Sequence, residues 1–441
     1  MLRVAYRVIA DEVVSIYGIM TATEQSTKNP GAAFTMAPML SPRAASTVIA
    51  MVMWPLALMT FVHKVFLVPQ NHHVTDDFTT VITALQRFRA GVAVYSENYA
   101  TVDPHYLYSP GGTLLLSPLA WLPDADVSRA VYIFANGVAT VIAVAIVTRF
   151  FGFRLLGGVF PAAMFFLFST EAVENNLLFS NINGILLLAE VVFLWALLCR
   201  RDLVAGIVLG LAITIKPQFA PLLLLPLMRR QWLTMASSVA VPIVFNVLGW
   251  LLMVRPGDYF DKLVPYLGQV RDYANSSIAG VGVHFGFPDW SIALWRAVAA
   301  TCVIIAVAGL ARFRDRDELM WATTTSGILL TGVFLISSLG QMYYSMLLLP
   351  MLFTVTRARS IMHNPVAWLG VYLCLSLDVW FSDRWVGYGR IMEYARGTAG
   401  WFLIILAAAT TVVVWMVNEH RAGRPILGDL RTNGILGGRK H

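Results

Sequence analysis

Long apolar runs separated by short polar clusters dominate the chain from residue 46 onward, and none shows the strict alternation of a membrane-barrel strand. They predict spans at 46–68, 127–148, 155–169, 182–199, 203–215, 218–228, 232–254, 290–311, 319–338, 342–356, 365–381 and 397–418. The expected class is an all-α polytopic integral membrane protein with about 12 transmembrane helices. Residues 104–122 are apolar enough to cross, but Pro104, Pro110, Gly111, Gly112 and Pro118 interrupt them. Charge decides their placement. If this stretch stays on one side, Arg149/Arg154, Arg200/Arg201, Arg229/Arg230, Arg312/Arg314/Arg316 and Arg357/Arg359 share a face with the N-terminus and the basic tail. Basic loops mark the cytoplasmic face, so residues 104–122 are expected to form a re-entrant or interfacial helix on the outer face. The same reasoning makes Lys216-Pro217 an outward turn between two short spans. Short spans do not fill a bilayer, so this turn is expected below the outer surface, lining a cavity.

Composition agrees with the pattern. Of 441 residues, 58% are hydrophobic and 13% charged, and the mean hydropathy is +0.68. The net charge of +7 comes from basic residues in the inner loops and in 421–441, so nucleic acid is not an expected partner; the lipid bilayer is. Cys199, Cys302 and Cys374 fall in or beside apolar runs without metal or disulfide spacing. Three regions are expected: a cytoplasmic N-terminal extension (1–45), a transmembrane domain (46–418) with an outer loop 69–126, and a basic cytoplasmic tail (419–441).

The outer face collects the chemistry. Asp76 and Asp77 follow the first span; Thr75, Asp76 and Asp77 could cap an amphipathic helix carrying Phe78, Val81, Ile82, Leu85 and Phe88, or one carboxylate could act as a general base. His72 and His73 read as an interfacial loop in preference to a metal site. Around Asp103–Gly112, Tyr106 and Tyr108 are either interfacial aromatics or, with His105, contacts to a phosphate or sugar. Asn181 and Asn183 lie in a polar turn; Asn183 could cap the next span, or both amides could bind sugar hydroxyls. Lys216 could reach the surface, but at a submerged turn it suits an anion, and a lipid-linked phosphate is the natural one. Asp272, Tyr273 and Asn275, with Arg271 and His284, form a polar outer loop, and Tyr343 and Tyr344 beside Gln341 could complete the cavity rim. Arg384, Arg390 and Arg396 add outer positive charge. There is no glycine-rich phosphate loop, so no nucleotide site is expected.

These motifs resemble those of the multispanning GT-C glycosyltransferases of actinobacterial cell-envelope synthesis, which use polyprenyl-phosphate sugars. The likeness rests on Thr75-Asp76-Asp77-Phe78, Val102–Tyr108, Phe179-Ser180-Asn181-Ile182-Asn183-Gly184, Lys216-Pro217 and Arg271–Ser277. Where relatives carry a histidine pair, this chain has Tyr343-Tyr344. The likeness runs to the branching arabinofuranosyltransferases of mycobacterial-type arabinan. It implies a decaprenylphosphoryl-arabinofuranose donor and an α-(1→5)-arabinan acceptor. The product would be the α-(1→3) branch of arabinogalactan and lipoarabinomannan, made by inversion in one displacement. It further implies Asp77 as base with Asp76 in support, and a donor site of Lys216, His105, Tyr106, Tyr108, Asn181 and Asn183. Acceptor contacts are expected at Asp272, Tyr273, Asn275, Tyr343 and Tyr344. No cofactor or metal is expected, a divalent cation beside the phosphate being the alternative. The implied location is the plasma membrane, with the active site extracytoplasmic. A polyprenyl-phosphomannose-dependent mannosyltransferase of the same fold and a lipid-linked sugar flippase are the competing functions.

Overall fold

A computed structural model describes residues 42–71, 76–101 and 103–423. His72, His73, Val102, most of the N-terminal extension and the end of the basic tail lie outside the described residues, as does the side chain of Asp76. Among the described residues the chain is helical, without strands. Among the described residues six helices are long and apolar enough to cross a membrane: Ala44–Leu67, Ala125–Phe150, Trp232–Leu252, Asp289–Phe313, Glu318–Ile336 and Val386–Arg421. Shorter apolar helices, Val159–Phe168, Asn183–Leu198, Asp202–Ile215 and Pro365–Leu375, pack among them. The chain is a multi-pass membrane protein, helical in its described residues.

Ion pairs tie one set of helix ends together. Arg229 pairs with Glu318 (2.9 Å), Arg357 with Asp317 (2.9 Å), and Arg316 and Arg359 both with Glu419 (3.0 and 2.9 Å). Gln231 Nε2 donates to the Leu197 carbonyl at 2.9 Å, bringing the 199–201 loop to the same end. Arg229 and Glu419 are buried, while their partners, and Arg357, are partly exposed, so solvent weakens each pair. Their value here is topological, since they gather the arginine clusters at one end of the bundle.

From that basic end the helix Asp202–Ile215 runs 14 residues to Lys216, about 21 Å, well short of the ~30 Å hydrocarbon core. The chain returns through the 3-10 segment Pro217–Leu223 and the helix Leu224–Arg229. Pro221 has no N–H with which to bond the carbonyl four residues back, so a regular α-helix cannot run through it, while Pro217 suits the first position of the segment. The stretch expected as one span at 342–356 is likewise broken, into Met342–Leu348, Leu349–Leu352 and Phe353–Thr356. Irregular backbone at membrane depth survives only when shielded from lipid, and the residues from Tyr343 to Met351 are buried in protein.

Residues 104–122 fold into the helix Pro110–Leu116 and the 3-10 turn Ser117–Trp121, each only about 10 Å long and unable to cross. Ser109 caps the first, its Oγ accepting from Gly112 N at 3.2 Å, with Pro110 in the first turn. Gly111 lies backbone-to-backbone on Trp232–Leu252: its N–H donates to Asn246 Oδ1 (3.0 Å), and a Cβ would stand 2.8 Å from Asn246 N.

Three local expectations change. Residues 171–178, outside the expected spans and leading into the polar turn at Asn181, are the helix Glu171–Leu178; Thr170 caps it, and Ala172, Val173 and Leu177 are buried beneath its polar face. Ile278–His284, expected as loop, is a helix capped by Ser277. The last helix starts at Val386 and not near 397; its 36 residues span about 54 Å, exceeding the hydrocarbon core. Arg390, Glu393 and Arg396 hide its first turns from a hydropathy reading, but a helix satisfies its own backbone wherever its side chains point. Arg396 is anchored on Glu171, on Glu393 (3.5 Å) and on the Ser376 carbonyl (2.8 Å).

Candidate active site

Four segments meet at the end of the bundle opposite the arginine cluster. The first is the helix Asp76–Arg89, held down by buried Phe78, Ile82 and Leu85, which places Asp77 in its opening turn. The second is the turn between Glu171–Leu178 and Asn183–Leu198, where Ser180 takes a left-handed φ of 52°. The third is the Lys216 turn, and the fourth is the 3-10 segment carrying Tyr343 and Tyr344.

The amides opening the Asn183 helix are satisfied from neighbouring segments. Asn176 Oδ1 accepts from Asn183 N (3.1 Å) and Asn136 Oδ1 from Ile185 N (3.2 Å). The Asn183 side chain therefore does not cap its helix. Its Oδ1 accepts from Lys216 Nζ at 2.8 Å, and its Nδ2 donates to Asn181 Oδ1 at 3.1 Å. Asn181 Oδ1 also accepts from Lys216 Nζ (3.1 Å) and from Ile182 N (2.9 Å). On its other side Asn181 Nδ2 faces Asp77 Oδ2 at 3.4 Å and the Tyr343 hydroxyl at 3.1 Å. Tyr343 donates to Asp77 Oδ2 at 3.2 Å. A polar relay thus runs from ammonium through amide to carboxylate.

Two of the three Lys216 N–H groups have acceptors in the asparagine pair, and Nζ sits 4.5 Å from the centre of the Tyr344 ring and 5.9 Å from that of Tyr343. Burial pulls the ammonium down to about 7, with the charge of Asp77 opposing the shift. Asp77 keeps Oδ1 without a hydrogen-bond partner among the described residues. The site therefore holds a carboxylate with one oxygen unbonded and a cation able to meet an anion, spaced by neutral amides.

The other expected residues divide. Tyr108 is buried, and its hydroxyl feels the charge of Asp77 and the phenol of Tyr344; burial raises it above the usual phenol range. Tyr106 is fully buried and donates to Thr113 Oγ1 at 2.8 Å. His105 is packed between Tyr99 and Tyr266, with ring centres 4.9 Å away in each case, and lies 3.4 Å from Glu97. Asn275 is a backbone clamp, bonding Arg271 O (3.0 Å), Ser338 O (2.8 Å), Ser277 N (3.1 Å) and Gly340 N (2.9 Å). The Asp272 carbonyl accepts from His284 Nδ1 at 2.7 Å, and Tyr273 lies under the Arg271 guanidinium at 5.2 Å.

Gln218, whose side chain opposes the upward shift that burial gives the Tyr344 hydroxyl, was not among the expected site residues; an amide two residues after Lys216 in an apolar turn was the available signal. Asn176 is a second such residue, legible only as part of a polar run. Among the described residues no three His, Cys, Asp or Glu side chains cluster as a metal site.

A model of glycosyltransferase family 87 matches residues 106–338. An α-(1→3)-arabinofuranosyltransferase of Corynebacterium glutamicum is 45% identical over 371 residues, covering 84% of this chain and 89% of that protein. The proteins of that name from Mycolicibacterium smegmatis and Mycobacterium tuberculosis are 40% and 42% identical, covering 92% and 84% of this chain and 95% and 86% of their own lengths. No solved structure matches.

Proposed function

Because the chain belongs to glycosyltransferase family 87, we propose that this glycosyltransferase carries out α-(1→3)-arabinofuranosyl transfer, the activity for which its relatives are named. The donor is decaprenylphosphoryl-arabinofuranose, the acceptor α-(1→5)-arabinan, and the products are α-(1→3) branches of arabinogalactan and lipoarabinomannan. The observation that carries this reading is the relay in which Asp77, Asn181 and Lys216 are linked while Asp77 Oδ1 stays open.

In the reaction, Asp77 takes the proton from the acceptor 3-hydroxyl as that oxygen bonds to the anomeric carbon. The bond between the anomeric carbon and the phosphate oxygen breaks on the opposite face, that oxygen leaving with the electron pair, which gives inversion and releases decaprenyl phosphate. Lys216 stands where the negative charge of the leaving group grows, the place at which electrostatic help most lowers the barrier. Tyr343 and Asn181 hold the carboxylate by one oxygen so that the other faces substrate, and Asp76 supports it. Tyr108 and Asn183 border the donor sugar, and Tyr344, Asp272 and Tyr273 border the acceptor. No metal is required for this scheme, since the cation at the phosphate is a side chain.

The protein is placed in the plasma membrane in about 12 spans, with residues 104–122 re-entrant on the outer face and the Arg-rich end cytoplasmic. The shortness of Asp202–Ile215 supports a Lys216 turn sunk below the outer surface, where a lipid-borne phosphate reaches it. The deciding experiment offers the purified protein labelled decaprenylphosphoryl-arabinofuranose or decaprenylphosphoryl-mannose, with a synthetic arabinan. Arabinose transfer to the 3-position is expected. Mannose transfer, or lipid translocation without transfer, overturns the proposal.

A further inference from the structure

Among the described residues, Arg271 is a charged side chain near the site whose charge the scheme above leaves unanswered. It is 9% exposed. Its guanidinium lies 5.2 Å from the centre of the Tyr273 ring. Among the described residues no carboxylate pairs with it and no acceptor takes a hydrogen bond from its guanidinium. The chain positions it firmly. Asn275 Nδ2 holds the Arg271 carbonyl at 3.0 Å, and the intervening Ala274 is forced into a left-handed φ of 43°. Asn275 also bonds Ser338 O (2.8 Å) and Gly340 N (2.9 Å), which seats this loop against the chain leading into Tyr343 and Tyr344. The Arg271 charge opposes the upward shift that burial gives the Tyr344 hydroxyl, and the Tyr344 ring is 4.5 Å from Lys216 Nζ.

A buried cation without an anion is costly unless a ligand brings the opposite charge. Holding it in place with a clamped, left-handed turn makes sense if that ligand arrives during function. We propose that Arg271 is a second cationic ligand for the phosphate of the lipid-linked donor, a proposal that rests on the polyprenyl-phosphate reading above. Of the groups in that reaction, the acceptor arabinan and the transferred sugar are neutral; only the phosphate is anionic. The planar guanidinium fork matches two phosphate oxygens, whereas Lys216 acts as a point charge. The chemistry also calls for two cations. The donor is a phosphodiester with one negative charge; when its bond to the anomeric carbon breaks, the departing decaprenyl phosphate carries up to two. An added cation therefore stabilises the late, charge-rich species more than the bound donor, which is how binding energy lowers a barrier.

The test measures decaprenyl phosphate affinity and transfer kinetics for full-length protein in nanodiscs. Arg271→Gln is expected to weaken decaprenyl phosphate about ten- to hundredfold, the loss of a charge-assisted pair. It should lower kcat, leave the arabinan KM within twofold, and weaken intact donor less than product. Arg271→Lys keeps the charge without the fork and should fall between. If Arg271→Gln does not fold, Arg271→Lys is read alone, and unchanged product affinity there overturns the proposal. Decaprenyl phosphate affinity within twofold of wild type in Arg271→Gln, or a loss confined to the arabinan KM, also overturns it and leaves the donor reading standing. Wild-type protein that fails to bind decaprenyl phosphate brings down the donor reading, and this inference with it.

Discussion

Tyr343 donates its phenolic hydrogen to Oδ2 of Asp77 at 3.2 Å, across 266 residues of chain. The bond holds the carboxylate by Oδ2 and leaves Oδ1 without a hydrogen-bond partner among the described residues. Tyr343 is a positioning residue in this arrangement. Tyr343→Phe keeps the ring and removes one donor to a charged group, about 1.5–3 kcal/mol. Steady-state kinetics should show kcat down about ten- to hundredfold with both KM values little changed. A variant with wild-type kcat would mean that Asp77 needs no such support.

Asp77→Asn preserves shape and removes the base. Transfer should fall by about 10²–10⁴, while decaprenyl phosphate still binds. Near-full transfer by a folded Asp77→Asn protein would exclude Asp77 as the base.

Lys216 sets a pH dependence with a definite sign. Its free-site value is about 7, and a bound phosphate raises it by favouring the charged form. Affinity for decaprenyl phosphate should therefore be full below about pH 7 and fall as pH rises above it, by up to about tenfold per unit. Titration calorimetry from pH 6 to 9 measures this. In Lys216→Arg the guanidinium stays charged throughout, so the fall should flatten. An equal fall in both proteins would place the titrating group elsewhere.

Gly111 tests the support behind the site. A Cβ there meets Asn246 N at 2.8 Å and the Phe245 carbonyl carbon at 2.9 Å, both backbone. Gly111→Ala should cost about 1–3 kcal/mol, seen as a lower melting temperature in detergent. A variant as stable as wild type would show that the Pro110–Leu116 helix can move off its neighbour.

Sidedness is open to direct labelling. In a Cys199→Ser background, a cysteine replacing exposed Ala100 should react with a membrane-impermeant maleimide on intact cells, and one replacing exposed Ala358 should not. The reverse pattern would put the active site on the cytoplasmic face.

Much of this protein is legible along the chain because lipid imposes a one-dimensional rule: a crossing segment must be apolar and satisfy its own backbone. That rule yields the helical class, the long helices and the grouping of Arg229, Arg316, Arg357 and Arg359, which ion pairs then gather at one end. It also singles out Asp77, Asn181, Asn183, Lys216 and Tyr343, since polar groups beside apolar runs stand out against their background. Hydropathy does not say which of these polar groups meet. Asn183 was as good a helix cap as a ligand until Asn176 and Asn136, from other segments, supplied the acceptors and released its side chain to Lys216. His105 and Asn275 carried the same polar signal as Lys216, yet packing engages one with Glu97 and two tyrosines and the other with four backbone groups. Hydropathy is a property of each residue, whereas a hydrogen bond belongs to a pair, and only the folded chain decides the pairs.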